Sequence, residues 1–306
     1  MPGSILASPG LRNFLKGFEI LLFILVCFSL GEICAILLTS LIYSLDPLDL
    51  FDRLAHPAGS DRSVLLLLLS LSAVFRFLII PTLYYSVQRK NPVTFSLSGK
   101  VNTVPMLLIG LLMIGLAPMI SALIDVNHRI AFPEWLSDAE TYFQESEARA
   151  VSLTSIALSF SKSGHLILAI LTMAVIPGIL EEFFFRGLVQ GQFQKIMKNP
   201  HYAIFLTASL FSLMHLQFYG FIPRLLLGLL FGYLFFWSKN IWYPVTAHAL
   251  SNLIAIVGVH FFDWRIGDSD GESSVSTILI LLSFLLSSVC IFYIRKHFTI
   301  DRHHAV

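Results

Sequence analysis

Charged residues are scarce in this chain. Of its 306 residues 13% are charged and 56% are hydrophobic, and the mean hydropathy is +0.78, whereas an ordinary soluble domain carries roughly 25% charged residues. A soluble fold is therefore excluded in favour of a membrane protein. The formal net charge of +1 supplies no long-range field to attract nucleic acid, so we expect no nucleic-acid partner.

Cysteine and several familiar hydrolase motifs are also rare or missing. The three cysteines, Cys27, Cys34 and Cys290, lie in apolar stretches without CxxC or Cys/His spacing, which argues against a zinc finger or a disulfide framework. The chain contains no HExxH helix, and the GxSxG spacing of Gly267, Ser269 and Gly271 falls in a predicted acidic outer loop and not at a strand-to-helix elbow. Zincin-type and serine-hydrolase sites are thereby excluded.

Long apolar stretches, in contrast, are abundant. A helix needs about 20 mostly apolar residues to cross roughly 30 Å of hydrocarbon. Eight stretches meet that requirement, and they cover 18–44, 63–87, 103–124, 165–189, 201–217, 220–237, 241–262 and 274–294. The predicted fold class is all-α, a polytopic membrane bundle of about eight transmembrane helices.

The charges between these stretches indicate an orientation. With both termini inside, the inner loops and tails hold eleven Lys and Arg residues and one acid, and the outer loops hold seven bases and fourteen acids. Because cytoplasmic loops carry the excess of Lys and Arg, we expect a multi-pass protein of the cell membrane with both termini cytoplasmic. In the longest outer connection, 125–162, the spacing of Ser137 and Glu140 predicts a capping box that starts a short extramembrane or interfacial helix.

Six charged residues remain inside the apolar stretches when Arg224, at the outer end of 220–237, is counted with the outer loops. Glu19 lies at the cytoplasmic end of the first stretch and can reach the interface. Glu32 and Arg76 lie twelve and thirteen residues from the outer ends of two successive stretches, so antiparallel helices bring them to similar depth. A buried charge needs a partner, and we predict that Glu32 and Arg76 form a structural ion pair.

The other three intramembrane charges lie in one short segment. Glu182 and Arg186 are four residues apart on one helix face and can pair. Glu181 is about 100° round the helix and has no charged partner at helical spacing, so it can point into the bundle, where an unpaired carboxylate suits proton transfer. In the alternative interpretation Arg186 pairs with both glutamates, and all three residues only stabilise helix packing. The segment alone does not decide between the catalytic and the structural interpretation.

Two histidines add polar groups to neighbouring stretches. Phe211 precedes His215 by four residues, and His248 precedes Asn252 by four, so each pair shares a helix face. At 1.5 Å per residue, Glu181 and His215 lie roughly 26 and 21 Å from the cytoplasmic turn, but His248 lies only about 12 Å from its own. A common site therefore requires a tilted helix or a loop that dips into the membrane.

At these residues the sequence resembles the intramembrane endopeptidases of the CPBP family, which include the type II CAAX prenyl proteases and bacteriocin-processing and immunity proteins. The family pattern is EExxxR, FxxxH and HxxxN on successive motif-bearing helices. This chain matches it at Glu181-Glu182-xxx-Arg186, Phe211-xxx-His215 and His248-xxx-Asn252. The resemblance covers about residues 165–262, and it implies a helical bundle with a water-containing cavity that cleaves peptide bonds.

The resemblance also implies roles for these residues. Glu181 is expected to be the general base that activates water, and His215 to orient or deprotonate that water. His248 and Asn252 are expected to donate hydrogen bonds to the oxyanion. Glu182, Arg186 and Phe211 are expected to support the site. A rival mechanism makes Glu181, His215 and His248 ligands of a divalent metal such as Zn²⁺, and both mechanisms stay open.

These expectations divide the chain into three parts: 1–164 with three membrane helices and the outer loop, 165–262 as the motif-bearing protease core, and 263–306 with the last helix and cytoplasmic tail. The predicted substrate is a peptide or membrane-tethered protein reached from the lipid bilayer. Two other functions remain: a non-catalytic scaffold or immunity-type protein that binds peptides, and a proton-coupled transporter. No inverted repeat supports the transporter.

Overall fold

The structure is a computed structural model that describes residues 8–56, 61–88, 99–130, 132–159, 163–262 and 275–303. Over these ranges the regular secondary structure is helical, without strands. The α-helices are α1 Pro9–Tyr43, α2 Pro47–Ala55, α3 Arg62–Val74, α4 Ile80–Val87, α5 Thr103–His128, α6 Ser137–Leu158, α7 Ser163–Ile170, α8 Ile176–Glu182, α9 Gly191–Ile196, α10 Pro200–Leu213, α11 Phe221–Ser238, α12 Trp242–Phe262 and α13 Thr277–His303. The predicted all-α polytopic bundle is confirmed.

Three π-helical segments join some of these helices into longer rods. Phe75–Ile79 links α3 to α4, Leu171–Val175 links α7 to α8, and Phe183–Gln190 links α8 to α9. Two of them contain intramembrane arginines, Arg76 and Arg186. Because π turns inside α-helices occur frequently at functional sites, these two segments direct attention to the space between them.

Seven stretches of the described chain are long and apolar enough to cross a membrane. They are Gly10–Tyr43, Arg62–Val87, Thr103–His128, Leu166–Ile196, Phe221–Ser238, Trp242–Phe261 and Thr277–Thr299. Each overlaps one of the eight predicted spans.

The remaining predicted span, 201–217, is shorter than expected. Helix α10 has 14 residues, which is about 21 Å of helix against a hydrocarbon thickness of roughly 30 Å. After Leu213 the chain leaves helical geometry, and Leu216 has a left-handed φ of 54°. The hydropathy of 214–217 resembles that of a helix, but its backbone forms a loop that carries His215.

Contacts between helices establish the direction of the chain. Near the start of α1, Asn13 donates a hydrogen bond to the carbonyl of Ile196 at the end of α9. Helix α12 runs antiparallel to the α7–α9 rod, and Tyr243 near the start of α12 packs on Phe298 near the end of α13. The start of α1 and the end of α13 therefore lie on the same side of the bundle.

The loop helix α6 differs in detail from its prediction. It has 22 residues and follows a 3-10 turn at Glu134–Leu136. Leu136 occupies the N-cap position, and no side chain caps the helix. The predicted capping box at Ser137 and Glu140 is wrong, because the 3-10 turn continues directly into the first helical turn and leaves Ser137 already inside the helix.

An aromatic cluster holds the motif-bearing rod against the N-terminal helices. Phe184 is fully buried and contacts rings from α1 and from the π segment after α3, at centroid distances of 5.9 Å to Phe23 and 5.5 Å to Phe77. Phe185 packs edge-on against Phe184 and extends the cluster to Phe211. Phe184 and Phe185 thus fix how the rod is rotated against the N-terminal helices, and that rotation places the two glutamates.

Candidate active site

Glu182 is the buried member of the glutamate pair. Its side chain is 0% exposed, and Oε1 lies 2.9 Å from Arg186 Nη1 and 2.8 Å from His248 Nδ1. The i, i+4 pairing of Glu182 with Arg186 is therefore present. The bond to His248 was not foreseen, because the sequence gives no distance between α8 and α12. Glu182 thus orients His248 in addition to holding its own helix.

Arg186 is surrounded by aromatic rings and by a neighbouring backbone. Its Nη2 donates to the carbonyl of Gly228 on α11 at 2.9 Å. The guanidinium carbon lies 5.0 Å from the ring centroid of Phe211 and 5.5 Å from that of Phe231. Cation–π contacts of this kind are strongest when the cation is desolvated, and Arg186 is 0% exposed.

The same two rings bracket His248. Phe231 stacks on the imidazole at 5.1 Å with an interplanar angle of 19°, and Phe211 meets it edge-on at 5.6 Å. Phe211 therefore supports both the arginine and the histidine. Phe231 was missed by the sequence analysis, since a phenylalanine in an apolar helix carries no signal of its own.

Glu181 lies on the wall of a cavity. Its side chain is 14% exposed, and Oε2 is 4.0 Å from His248 Nε2. The imidazole of His248 thus has Glu182 at one nitrogen and Glu181 at the other. This arrangement separates the two adjacent carboxylates, one tied into the protein and one facing the cavity.

His215 lies in the loop after α10, at the edge of the same cavity. Its Nδ1 is 2.8 Å from the carbonyl oxygen of Phe211. A carbonyl oxygen can only accept, so Nδ1 carries the hydrogen and, in the neutral ring, Nε2 keeps its lone pair. The carbonyl of Phe211, four residues earlier, therefore holds the His215 ring in one tautomer.

The depth conflict over His248 is resolved by the turn between α11 and α12. Asn240 is 5% exposed and Ile241 is 0% exposed, so this turn is buried within the protein. Residues 99–102 cover it: Asn240 donates to the carbonyl of Lys100, and the Tyr243 hydroxyl accepts from the Asn102 backbone. The turn is thus a loop that dips into the fold, which raises His248 to the level of Glu181.

All four predicted catalytic side chains line one cavity of about 850 Å³. It is formed by Glu181, His215, His248 and Asn252 together with apolar residues from α5, α8 and α12, and its size falls in the usual range for ligand sites. The α6 side of the cavity carries charged residues: Asp125, His128, Glu147, Arg149 and Arg224. Burial raises the pKa of the Glu147 carboxyl, while Arg224 and His128 nearby oppose that shift.

Arg76 also lines this cavity. It forms an ion pair with Glu32 across α1 and the π segment. The similar predicted depths of Glu32 and Arg76 in the membrane suggested that they pair, but nothing in the sequence indicated that Arg76 faces the cavity. A Cβ on Gly31 would meet the Arg76 backbone at 2.8 Å, so a glycine is needed where the two helices cross.

The metal alternative requires three ligands that converge. Among the described residues no group of three or more His, Cys, Asp or Glu side chains is arranged to hold a metal ion. The predicted ligand set of Glu181, His215 and His248 therefore does not fit a metal in this structure.

Comparison with known proteins agrees with the motifs. No significant match to the chain was found among curated proteins or among solved structures. Residues 163–254 match the family described as type II CAAX prenyl endopeptidase Rce1-like, and this segment contains all three motifs and every predicted catalytic residue. The resemblance is confirmed: residues 163–254 of this chain are similar to the type II CAAX prenyl endopeptidase family.

Proposed function

We propose that this protein is an intramembrane endopeptidase in which Glu181 and His215 activate water and His248 and Asn252 stabilise the oxyanion. The observation that carries the proposal is the single cavity that brings these four side chains together, with Glu181 beside His248. The substrate is a peptide or a membrane-tethered protein, cut near its C-terminus as the prenyl-protein members of the family do.

A count of protons supports these roles. Glu182 and Arg186 neutralise each other at 0% exposure, which leaves Glu181 and His248 to share one proton if the site is to stay neutral. With that proton on His248, Nδ1–H donates to Glu182 and Nε2–H is a donor in the cavity, while Glu181 is an ionised base. Of the two neutral arrangements, the one with the proton on His248 thus contains both the base and the oxyanion donor that the proposed hydrolysis needs.

The reaction follows from this arrangement. Glu181 removes a proton from water as the water oxygen attacks the peptide carbonyl carbon. His248 Nε2–H and the Asn252 carboxamide donate to the oxygen that gains negative charge, which is the interaction that a water-poor site strengthens most. Glu181 then returns the proton to the departing amine, and the C–N bond breaks. The Nε2 lone pair of His215 accepts a hydrogen bond from the same water and orients it.

The test compares Glu181→Gln with Glu19→Gln as a matched control. Glu19 is also an acid in an apolar helix, but it lies at the helix end and contacts the hydroxyl of Tyr84. General-base catalysis contributes about 10²–10⁴-fold, so Glu181→Gln is expected to lose at least about 100-fold in cleavage of a peptide library by purified protein. Glu19→Gln should cleave at the wild-type rate, and both variants should unfold at the wild-type temperature.

Two outcomes would contradict the proposal. Cleavage by Glu181→Gln at the wild-type rate would remove Glu181 from the mechanism. Peptide binding without cleavage by the wild-type protein, unchanged in Glu181→Gln, would favour the non-catalytic scaffold.

A further inference from the structure

The loop between α10 and α11 carries His215, and its own backbone hydrogen bonds belong to short turns at its two ends, among them Leu216 N–H to Leu213 and Phe221 N–H to Phe218. Four consecutive carbonyls of this loop also accept hydrogen bonds from side chains. Ser146 Oγ donates to Leu216 at 3.0 Å and Arg224 Nη2 to Gln217 at 2.8 Å. Asn127 Nδ2 donates to the carbonyls of Phe218 and Tyr219 at 2.7 and 2.6 Å.

Asn127 makes the most of these contacts. It lies at the end of α5, is 1% exposed, and supplies two of the four hydrogen bonds. The next residue, His128, stacks on Tyr219 with centroids 4.5 Å apart and an interplanar angle of 5°. Because irregular backbone among membrane helices needs partners within the protein, the loop depends on α5 for its conformation.

The anchored carbonyls begin directly after His215. Leu216, the first of them, has a left-handed φ of 54°, so the chain reverses between the histidine and the anchor. The His215 ring is held by Nδ1 to the carbonyl of Phe211 and by an edge-on contact with the Phe211 ring at 5.2 Å. The position of His215 in the cavity is therefore set from two sides, by α10 before it and by Asn127 after it.

We propose that Asn127 is a positioning residue that fixes His215 in the cavity by holding the backbone of 218–219. The inference rests on the proposed function for its effect on turnover, but it adds a residue outside the family match at 163–254. Through Asn127, the N-terminal half of the chain contributes to the geometry of a site whose predicted catalytic residues all lie in the other half.

The test uses Asn127→Ala and Asn127→Asp, with Asn13→Ala as the control. Asn13 also donates from its carboxamide to a backbone carbonyl on another helix, at 3.3 Å to Ile196, but away from the cavity. Since displacement of a catalytic group by about 1 Å can cost on the order of 100-fold, we expect both Asn127 variants to lose about 10- to 100-fold in kcat. KM should change by less than about threefold, because His215 acts on water and not on the bound peptide.

A pH series separates positioning from general loosening of the fold. An ionised aspartate cannot donate, but a protonated one regains one donor. The kcat of Asn127→Asp relative to wild type should therefore recover as the pH falls, while the ratio for Asn127→Ala stays flat. If Asn127→Asp fails to fold, Asn127→Ser replaces it, and this variant should retain part of the kcat that Asn127→Ala loses.

Hydrogen exchange gives a readout that does not require activity. Amide exchange in 214–220 should be faster in Asn127→Ala, with α8 and α12 unchanged, and Asn13→Ala should match wild type. Unchanged exchange in this loop, or wild-type kcat in Asn127→Ala, would overturn the inference. If wild-type protein cleaves no peptide, the proposed function fails, and exchange alone then decides whether Asn127 holds the loop.

Discussion

Two adjacent glutamates in this protein have different surroundings, and the proposed mechanism gives them different tasks. Glu182 is 0% exposed and binds Arg186 and His248, whereas Glu181 is 14% exposed and faces the cavity. A helix turns about 100° per residue, so neighbours cannot share an environment. The mechanism uses that difference, because it needs one carboxylate as a fixed anchor and one as a base.

Substitution of the anchor should affect stability more than substitution of the base. Removing one partner of a buried ion pair costs about 3–5 kcal/mol, since a charge is left uncompensated. Glu182→Gln is therefore expected to lower the free energy of unfolding by about that amount, and Glu182→Gln with Arg186→Met should recover part of it. Denaturant unfolding in detergent measures both, and an equal loss in Glu181→Gln would contradict the division of tasks.

The ion pair of Glu32 and Arg76 is proposed as a tie between α1 and the rod formed by α3 and α4. The side chains are 24% and 29% exposed, and an unpaired group there costs about 1–3 kcal/mol. Arg76→Met and Glu32→Gln are each expected to destabilise the protein by about that amount. In the double variant the losses should not add, as contacting residues couple. Full additivity in the double-mutant cycle would show that the two side chains do not depend on each other.

At the scale of helices, glycines allow the motif-bearing elements to approach. A Cβ on Gly228 would meet Ala208 at 3.2 Å, and one on Gly232 would meet Ile204 at 2.8 Å. Gly228 and Gly232 stand at GxxxG spacing, which is typical of closely packed membrane helices, and these contacts agree with that role. The close approach also exposes the carbonyls of both glycines to side chains of the rod, where Arg186 and Gln190 donate to them.

Gly178 has the corresponding role between α8 and α12. A Cβ there would meet the Ala249 backbone at 3.0 Å, and backbone cannot move aside as a flexible side chain can. Gly178→Ala should therefore separate Glu181 from His248 and lower kcat about 10- to 100-fold. Gly110→Ala is the control, because nothing lies within 4 Å of a Cβ at that position. Equal turnover in the two variants, measured on the same peptide, would show that the spacing of α8 and α12 is not critical.

At the scale of the whole molecule, helix α10 reverses the direction of the chain between α9 and α11, although it is too short to cross the hydrocarbon layer. It packs antiparallel to α11, and the start of α1 and the end of α13 consequently lie on one side of the bundle. The surplus of Lys and Arg on that side predicts that it is cytoplasmic. The charge pattern and the helix directions are independent arguments for the same arrangement of the termini.

Cysteine labelling tests this arrangement. In a background without Cys27, Cys34 and Cys290, we expect Ser8→Cys and Thr299→Cys to be protected from a membrane-impermeant maleimide in intact cells. Ser155→Cys on α6 should be labelled, because that residue is exposed and lies in the predicted outer loop. Labelling at only one terminus would contradict the helix directions, and labelling at both would contradict the charge argument.

The sequence by itself determined membrane insertion, most helix positions and the pairings that lie within one helix. Those follow from hydropathy and from the 3.6-residue repeat, which act locally. The tertiary structure decided that Glu182 binds His248, that Arg76 faces the cavity, that 214–217 is a loop, and that Asn127 donates to the carbonyls of 218–219 just after it. Each of these depends on how helices are rotated and how closely they approach, and spacing along one helix carries no information about its neighbour.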